Sequence, residues 1–141
     1  LNRFHPEVIR TFLLSKHYRS PLDYSEEKIK ETEKAVYHLY ETLYWLKKAV
    51  SKGEGLLSER GRKLEKDLIK FEEEFINALL EDFNTALAIG HLFNLISDTY
   101  NFLGKQQTFT SEEILLLERV EERIKELSGK ILGIGAQDVF N

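Results

Sequence analysis

The sequence predicts an all-α protein, an antiparallel bundle of four long helices led by a short N-terminal helix. Three observations carry this expectation. The 141 residues contain only two prolines, Pro6 and Pro21, so the chain after position 21 is free to be helical. Apolar residues recur at helical spacing in five separate stretches. No segment sustains the period-two alternation of a half-buried strand, and Ile131 to Ile134 is too short to demand one.

Each element has its own start and stop signals. Pro6 suits a first helical turn, where its missing N–H costs nothing, and Val8, Ile9, Phe12 and Leu13 give the leading helix an apolar face up to about Lys16. Pro21 pushes Ser20 out of the α region, so a loop follows. Ser25 stands where an N-cap belongs, with Glu26 and Glu27 at the positive end of the helix dipole. The second helix is expected to run to about Val50. Its seam is Ile29, Val36, Leu43 and Val50, interleaved with Leu39 and Leu46 and flanked by a stripe of Tyr37, Tyr40 and Tyr44 read as core rim.

Lys52 to Gly61 holds three glycines and reads as a loop. The third helix carries Leu64, Leu68, Phe71, Phe75 and Leu79, with Glu72, Glu73 and Glu74 expected to face mostly solvent. Asn84 or Thr85 caps the fourth helix, which carries Ile89, Leu92, Phe93, Ile96, Tyr100 and Leu103 and stops at Gly104. Thr110 and Glu113 make a capping box for the fifth, which carries Leu117, Val120, Ile124 and Leu127 and ends before Gly129.

Composition bounds the function. Hydrophobic residues are 42% and charged residues 31% of the chain, a globular mix. No apolar run reaches the roughly 20 residues of a membrane span, and no signal peptide is visible. Without cysteine there is no disulfide, thiolate metal site or thiol nucleophile. With Leu1 first and no methionine, the chain is expected to be a piece of a longer protein. The net charge of −4 is unlike a dedicated nucleic-acid binder, but it is unevenly spread. Residues 47–66 carry seven Lys and Arg against three Glu, while 111–127 carry six Glu against three basic residues. Lys47, Lys48, Arg60, Arg62 and Lys63 are therefore candidate phosphate contacts, against the alternative of solvated helix ends.

Catalytic chemistry finds little purchase. His5, His17, His38 and His91 include no i, i+4 pair, and neither HExxH nor ExxH occurs. The serines have no GxSxG context, and the glycines of residues 53–61 form no phosphate-binding fingerprint after a strand. The chain by itself is expected to be non-catalytic and to hold no metal or cofactor. Two readings stay open on these grounds, a bundle that meets RNA by shape and a generic interaction module.

Two stretches are more specific. HPEVIRTFLLSKHYRSPLDYSEE, His5 to Glu27, resembles the segment of cysteinyl-tRNA synthetases that follows their KMSKS loop. EDFNTALAIGHLF, Glu81 to Phe93, continued by Asn101, is similar to that family's DDFNT signature. Glu81 replaces the usual first aspartate, and Ala86 stands where proline is frequent; both changes are mild. The resemblance covers nearly the whole chain and is weakest in Lys52–Arg62 and after Gly129.

The resemblance implies a parent enzyme, a class I ligase that joins cysteine to tRNA(Cys) with ATP. It also implies that this piece is a stem-contact junction, residues 1–24, and a helical DALR-type tRNA-binding domain, residues 25–141. ATP with Mg and a zinc ion would belong to the parent's catalytic domain, a partner within the same chain. The parent would be cytoplasmic and monomeric, with no membrane. His17, Tyr18, Arg19 and Ser20 match the family pattern and are candidates for contact with tRNA or between domains. Asn84 and Thr85 match too, although helix capping is the favoured account of them over RNA contact, with Phe83 then expected in the core. Two alternatives are a ligase that passes cysteine to an amino-sugar and a dimerising scaffold built on the seam and the tyrosine stripe of the second helix.

Overall fold

Helix starts are set by capping side chains, at the expected Ser25, Asn84 and Thr110 and at two that the sequence reading did not name, His5 and Ser58. The structure is a computed structural model that describes residues 4–16 and 25–135. Helix α1, Pro6–Leu14, begins at His5, whose Nδ1 accepts the Glu7 N–H at 3.0 Å. Helix α2, Glu26–Lys48, begins at Ser25, whose hydroxyl accepts the Lys28 N–H. Helix α3, Glu59–Leu80, is capped by Ser58, and α4, Thr85–Leu103, by Asn84, whose Oδ1 accepts the Leu87 N–H at 2.9 Å. Helix α5, Ser111–Arg123, opens with both halves of the Thr110–Glu113 capping box in place. Each cap satisfies amides that a helix start leaves without a partner. Gly104 ends α4 in the left-handed region at φ 52°.

Three boundaries differ from the sequence expectation. Helix α2 stops at Lys48, because Ala49 turns extended and the Val50 N–H bonds across to the Gln107 carbonyl. Val50 is thus exposed and leaves the seam. It belongs instead to a two-residue parallel pair in which β1, Val50–Ser51, lies beside β2, Thr108–Phe109. Gly61 lies inside α3, whose cap at Ser58 sets the start three residues earlier than the glycine suggests. Gly129 does not end the last helix. From Ile124 the helix widens into a π-helix, Ile124–Leu132, in which the Ser128 hydroxyl donates to the Ile124 carbonyl. That carbonyl is the acceptor the Ser128 amide would use in an α-helix.

One contiguous core joins all five helices. Val8 and Phe12 of α1, Leu39 and Leu43 of α2, Leu68 and Phe75 of α3, Leu92 and Ile96 of α4, and Val120 and Ile124 at the end of α5 are all buried in it. The principal packing pairs of the long helices are α3 with α4, α2 with α4, α3 with α5 and α2 with α5. Helices adjacent in sequence, α2 with α3 and α4 with α5, are not among them. The two connectors therefore cross between packed pairs at one end of the molecule, and there they run side by side as β1 and β2. Two ion pairs fix the lateral register of α3 against α5, Arg119 with Glu65 at 3.4 Å and Arg123 with Glu72 at 3.0 Å. Glu72 and Glu74, expected in solvent, are half-buried; Glu74 holds His91 Nδ1 at 3.0 Å. Among the described residues no helix is long and apolar enough to cross a membrane.

Glu7 ties α1 to the rest. It is buried, and its two oxygens accept from the Tyr40 hydroxyl at 2.6 Å and from the Gly135 N–H. Truncating it removes the acceptor of both bonds. We expect Glu7→Ala to lower unfolding stability by about 3 kcal/mol and Tyr40→Phe by about 1.5 kcal/mol, read by urea denaturation. Equal stability of Glu7→Ala and the parent chain would show that the contact carries no weight.

Candidate nucleic-acid interface

The seven charged or capping candidates that fall on described residues separate into two groups at opposite ends of α3. Lys47 and Lys48 lie in the last turn of α2, and Arg60, Arg62 and Lys63 in the first turns of α3. Asn84 and Thr85 lie past the far end of α3, a helix of 22 residues. At 1.5 Å per residue that is a separation of about 30 Å. His17, Tyr18, Arg19 and Ser20 lie outside the described residues.

At the first end the glycine-rich connector is hydrogen-bonded along its length. The Lys52 amide donates to the Phe109 carbonyl at 2.8 Å, the Ser111 amide to Gly53, and the Leu57 amide to Glu112 Oε2 at 2.9 Å. The Ser58 hydroxyl donates to Glu113 Oε2 at 3.1 Å. Glycine is needed at Gly55, where a Cβ would stand 2.8 Å from Thr110 Cγ2. Burial works to raise the Glu113 pKa, but the bonds it accepts from the Thr110 backbone and hydroxyl and from Ser58 outweigh this and hold it below the usual carboxylate value.

The basic side chains at this end do different things. Arg60 turns inward along the surface. Its Nη2 donates to the carbonyls of Asn101 at 2.7 Å and Phe102 at 3.0 Å, and its guanidinium lies 5.5 Å from the Phe102 ring centre. It thereby satisfies carbonyls that the C-terminus of α4 leaves without partners. Arg62 is exposed. Lys63 pairs with Asp67 at 3.2 Å, and Lys48 stands 5.4 Å from the Tyr44 ring centre. Lys47 borders a cavity of about 270 Å³ shared with Leu46, Ile114, Glu118 and Glu121. Beside Lys63 two carboxyls from neighbouring helices meet. The Asp98 pKa is raised, first by burial, then by the charge of Asp67 and a hydrogen bond with it, with Lys63 pulling the other way.

At the other end Asn84 caps α4, and the Thr85 hydroxyl donates to the Leu14 carbonyl at 2.8 Å. Thr85 thus fastens the start of α4 to the last turn of α1. Phe83, expected in the core, is 81% exposed, with a left-handed backbone at φ 50°. The reason is local. The Asn84 amide reaches back to the Ala78 carbonyl at 2.7 Å, and this tight turn projects Phe83 outward.

Residues 74–137 match the family model of the DALR domain, which here takes in the end of α3, all of α4 and α5 and the π-helix. The chain is 38% identical over 135 residues to a cysteine–tRNA ligase of Geobacter metallireducens, covering 95% of this chain and 27% of that protein. It is 37% identical over 138 residues to a cysteine–tRNA ligase of Heliobacterium modesticaldum, covering 95% of this chain and 28% of that protein. It is 40% identical over 111 residues to a cysteine–tRNA ligase of Syntrophobacter fumaroxidans, covering 74% of this chain and 22% of that protein. The chain spans little more than a quarter of the length of the relatives it matches.

Two expectations follow from this geometry. Arg60→Ala should lower stability by about 1 kcal/mol through loss of the α4 cap, while Arg62→Ala leaves it unchanged, both read by thermal melts. Asp98→Asn should stabilise the fold at neutral pH by up to about 0.5 kcal/mol by removing the repulsion with Asp67. The sign follows from the raised pKa. Asp98 favours the fold most when protonated, and that advantage is lost as pH rises through its folded pKa. The gain from Asp98→Asn should therefore shrink as pH falls into the carboxylate range. A gain that instead grows on acidification would contradict the carboxyl contact. Over 95% of its length the chain is thus similar to cysteine–tRNA ligases, and its residues 74–137 match the DALR domain.

Proposed function

We propose that this chain is the tRNA-facing helical part of a cysteine–tRNA ligase and that it performs no chemistry by itself. The observation that carries the proposal is the match along nearly all of the chain to proteins of that name. In this reading the parent joins cysteine to tRNA(Cys), and ATP, Mg and zinc belong to a catalytic domain elsewhere in the same, monomeric, cytoplasmic protein. Among the described residues no three His, Asp or Glu side chains come together as a metal site would need.

The finer architecture proposed is an antiparallel bundle of α2 to α5 in the sense that successive helices reverse direction, while the packed pair α3 and α5 runs parallel. The four-residue link from α3 to α4, whose helices pack closely, supports it. Such a bundle sets the end of α2 and the start of α3 together, so that Lys47, Lys48, Arg62 and Lys63 share one end. There they meet phosphates by charge and shape rather than by reading sequence. Arg60 serves this end indirectly, by holding the terminus of α4 in place. The scaffold alternative keeps the exposed part of the tyrosine stripe but not the seam. The α2 seam of Ile29, Val36, Leu39, Leu43 and Leu46 is buried in the chain's own core.

The test is binding of the chain to tRNA bearing the cysteine anticodon, beside an unrelated tRNA, across a salt series. We expect weak binding that falls with salt and scarcely distinguishes the two. Arg62→Glu with Lys63→Glu should weaken both equally and flatten the salt slope by about one for each lost phosphate contact. Unchanged affinity of the double variant would remove this end from the interface. Pyrophosphate exchange with cysteine by the isolated chain would refute the claim that it is non-catalytic.

A further inference from the structure

The turn between α3 and α4 leaves large apolar side chains in water. Phe83 is 81% exposed, and Leu80, the last residue of α3, is 70% exposed. Leu87 in the first turn of α4 and Ile76, one turn before Leu80, are exposed as well. Scattered exposed leucines are ordinary on a folded surface, but a run of large apolar side chains across one tight turn is not.

The backbone adds to the cost. Among the described residues only Phe83 and Lys105 hold a positive φ without being glycine, and of these only Phe83 is apolar. At φ 50° a bulky side chain crowds its own backbone. The conformation is enforced from both sides. The Glu81 and Asp82 amides donate to the Asn77 carbonyl at 3.0 and 3.2 Å, and the Asn84 amide to the Ala78 carbonyl at 2.7 Å. The Asn84 side chain holds the Leu87 amide, and the Thr85 hydroxyl holds the Leu14 carbonyl. Asparagine or glycine at position 83 would relieve the strain and remove a ring from water. A strained, exposed ring held rigidly outward is a preformed contact, and its compensation lies with a partner.

Charge selects the partner. Glu81 and Asp82, both exposed, lie between Leu80 and Phe83. A phosphate chain is repelled there. A second copy of this chain seated on the turn would bring both pairs of carboxylates together across the symmetry axis. What fits is a protein surface with an apolar hollow rimmed by lysine or arginine. The chain matches 27% and 28% of the length of its ligase relatives, so proteins of this kind carry ample further surface in the same molecule. The turn also lies past the far end of α3 from Arg62 and Lys63, so a body seated on it leaves that end open to RNA.

We propose that the Leu80–Phe83–Leu87 turn is the docking surface for the remaining part of the same ligase, which receives the Phe83 ring in an apolar hollow and meets Glu81 and Asp82 with basic side chains. This inference rests on the reading of the chain as one part of a cysteine–tRNA ligase and adds which of its surfaces faces the rest.

The test is amide exchange of the peptide spanning residues 78–87, measured by mass spectrometry in the 141-residue chain and in the full-length ligase that contains it. Exchange in the full-length protein should be slower by about tenfold or more. Phe83→Asn should return it to the rate of the isolated chain, as should Glu81→Lys with Asp82→Lys, whereas Phe83→Leu should keep most of the protection. In the isolated chain Phe83→Asn should not lower the melting temperature, because asparagine suits a positive φ and the ring is exposed. Equal exchange in the two proteins, protection that survives either polar change, or a lower melting temperature overturns the docking surface and leaves the RNA-facing reading standing. A Phe83-dependent dimer of the isolated chain in sedimentation overturns it in favour of a second copy, and weaker tRNA binding by Phe83→Asn overturns it in favour of RNA. No tRNA binding by the isolated chain at low salt, with the turn protected in the ligase, overturns the RNA-facing reading and supports the docking surface.

Discussion

A carboxyl group buried in the core sets much of what surrounds it. Polar groups removed from water need partners, and Glu7 finds two far apart in sequence, the hydroxyl of Tyr40 and the amide of Gly135. The first anchors the leading helix on α2. The second draws the chain beyond the π-helix back across both. Gly133 belongs to the same closure. It takes φ 72°, a left-handed conformation that strains any residue with a side chain, so the return of the chain past α1 depends on glycine there. With α1 held in this way, its last carbonyls are available to Thr85, and the start of α4 is fixed as a consequence.

The two ends of the molecule are then built by different means. One end is a joint of caps and tight turns, in which Asn84, Thr85 and the left-handed Phe83 spend their hydrogen bonds locally. The other is a junction of four helix termini, closed by the paired connectors and by Arg60 on the carbonyls of α4. An arginine placed there for its guanidinium fork leaves lysines and Arg62 to present charge outward. The distinction matters for any account of binding. Removing Arg60 disturbs a helix end, whereas removing Arg62 only changes the field.

Much of this was legible in the sequence because it is local. Ser25, Asn84 and the Thr110–Glu113 box act on amides two or three residues away, so their spacing alone announces them. The apolar positions of α2 to α5 were legible for the same reason. What escaped was non-local. The β1–β2 pair joins residues nearly sixty positions apart, and its formation ends α2 two residues early. Arg60 looked like a surface cation because its acceptors lie about forty residues away. Nothing in HPEVIR declares that the Glu7 carboxyl is buried. Phe83 misled through its chemistry, since an aromatic in an otherwise helical stretch reads as core until the turn geometry is known. Tyr37 and Tyr44 were recognised as a stripe. Only the fold separates them from Tyr40 and shows that Trp45 joins them.

Charge distribution decides which surface faces a polyanion, and it does so against the net charge of −4. At short range a phosphate chain responds to local groups, because charges more than about 10 Å away are screened at moderate salt. The turn after α3 presents Glu81 and Asp82 around an exposed aromatic, and the outer side of α5 is rich in glutamate. Both repel phosphate whatever their apolar content. The end of α2 combines Lys47 and Lys48 with three aromatic rings, and the start of α3 adds Arg62 and Lys63. On an acidic protein such a localised contrast orients the partner. In the proposed reading the acidic sides exclude the wrong approach, and this cationic, aromatic end of the described residues admits the right one.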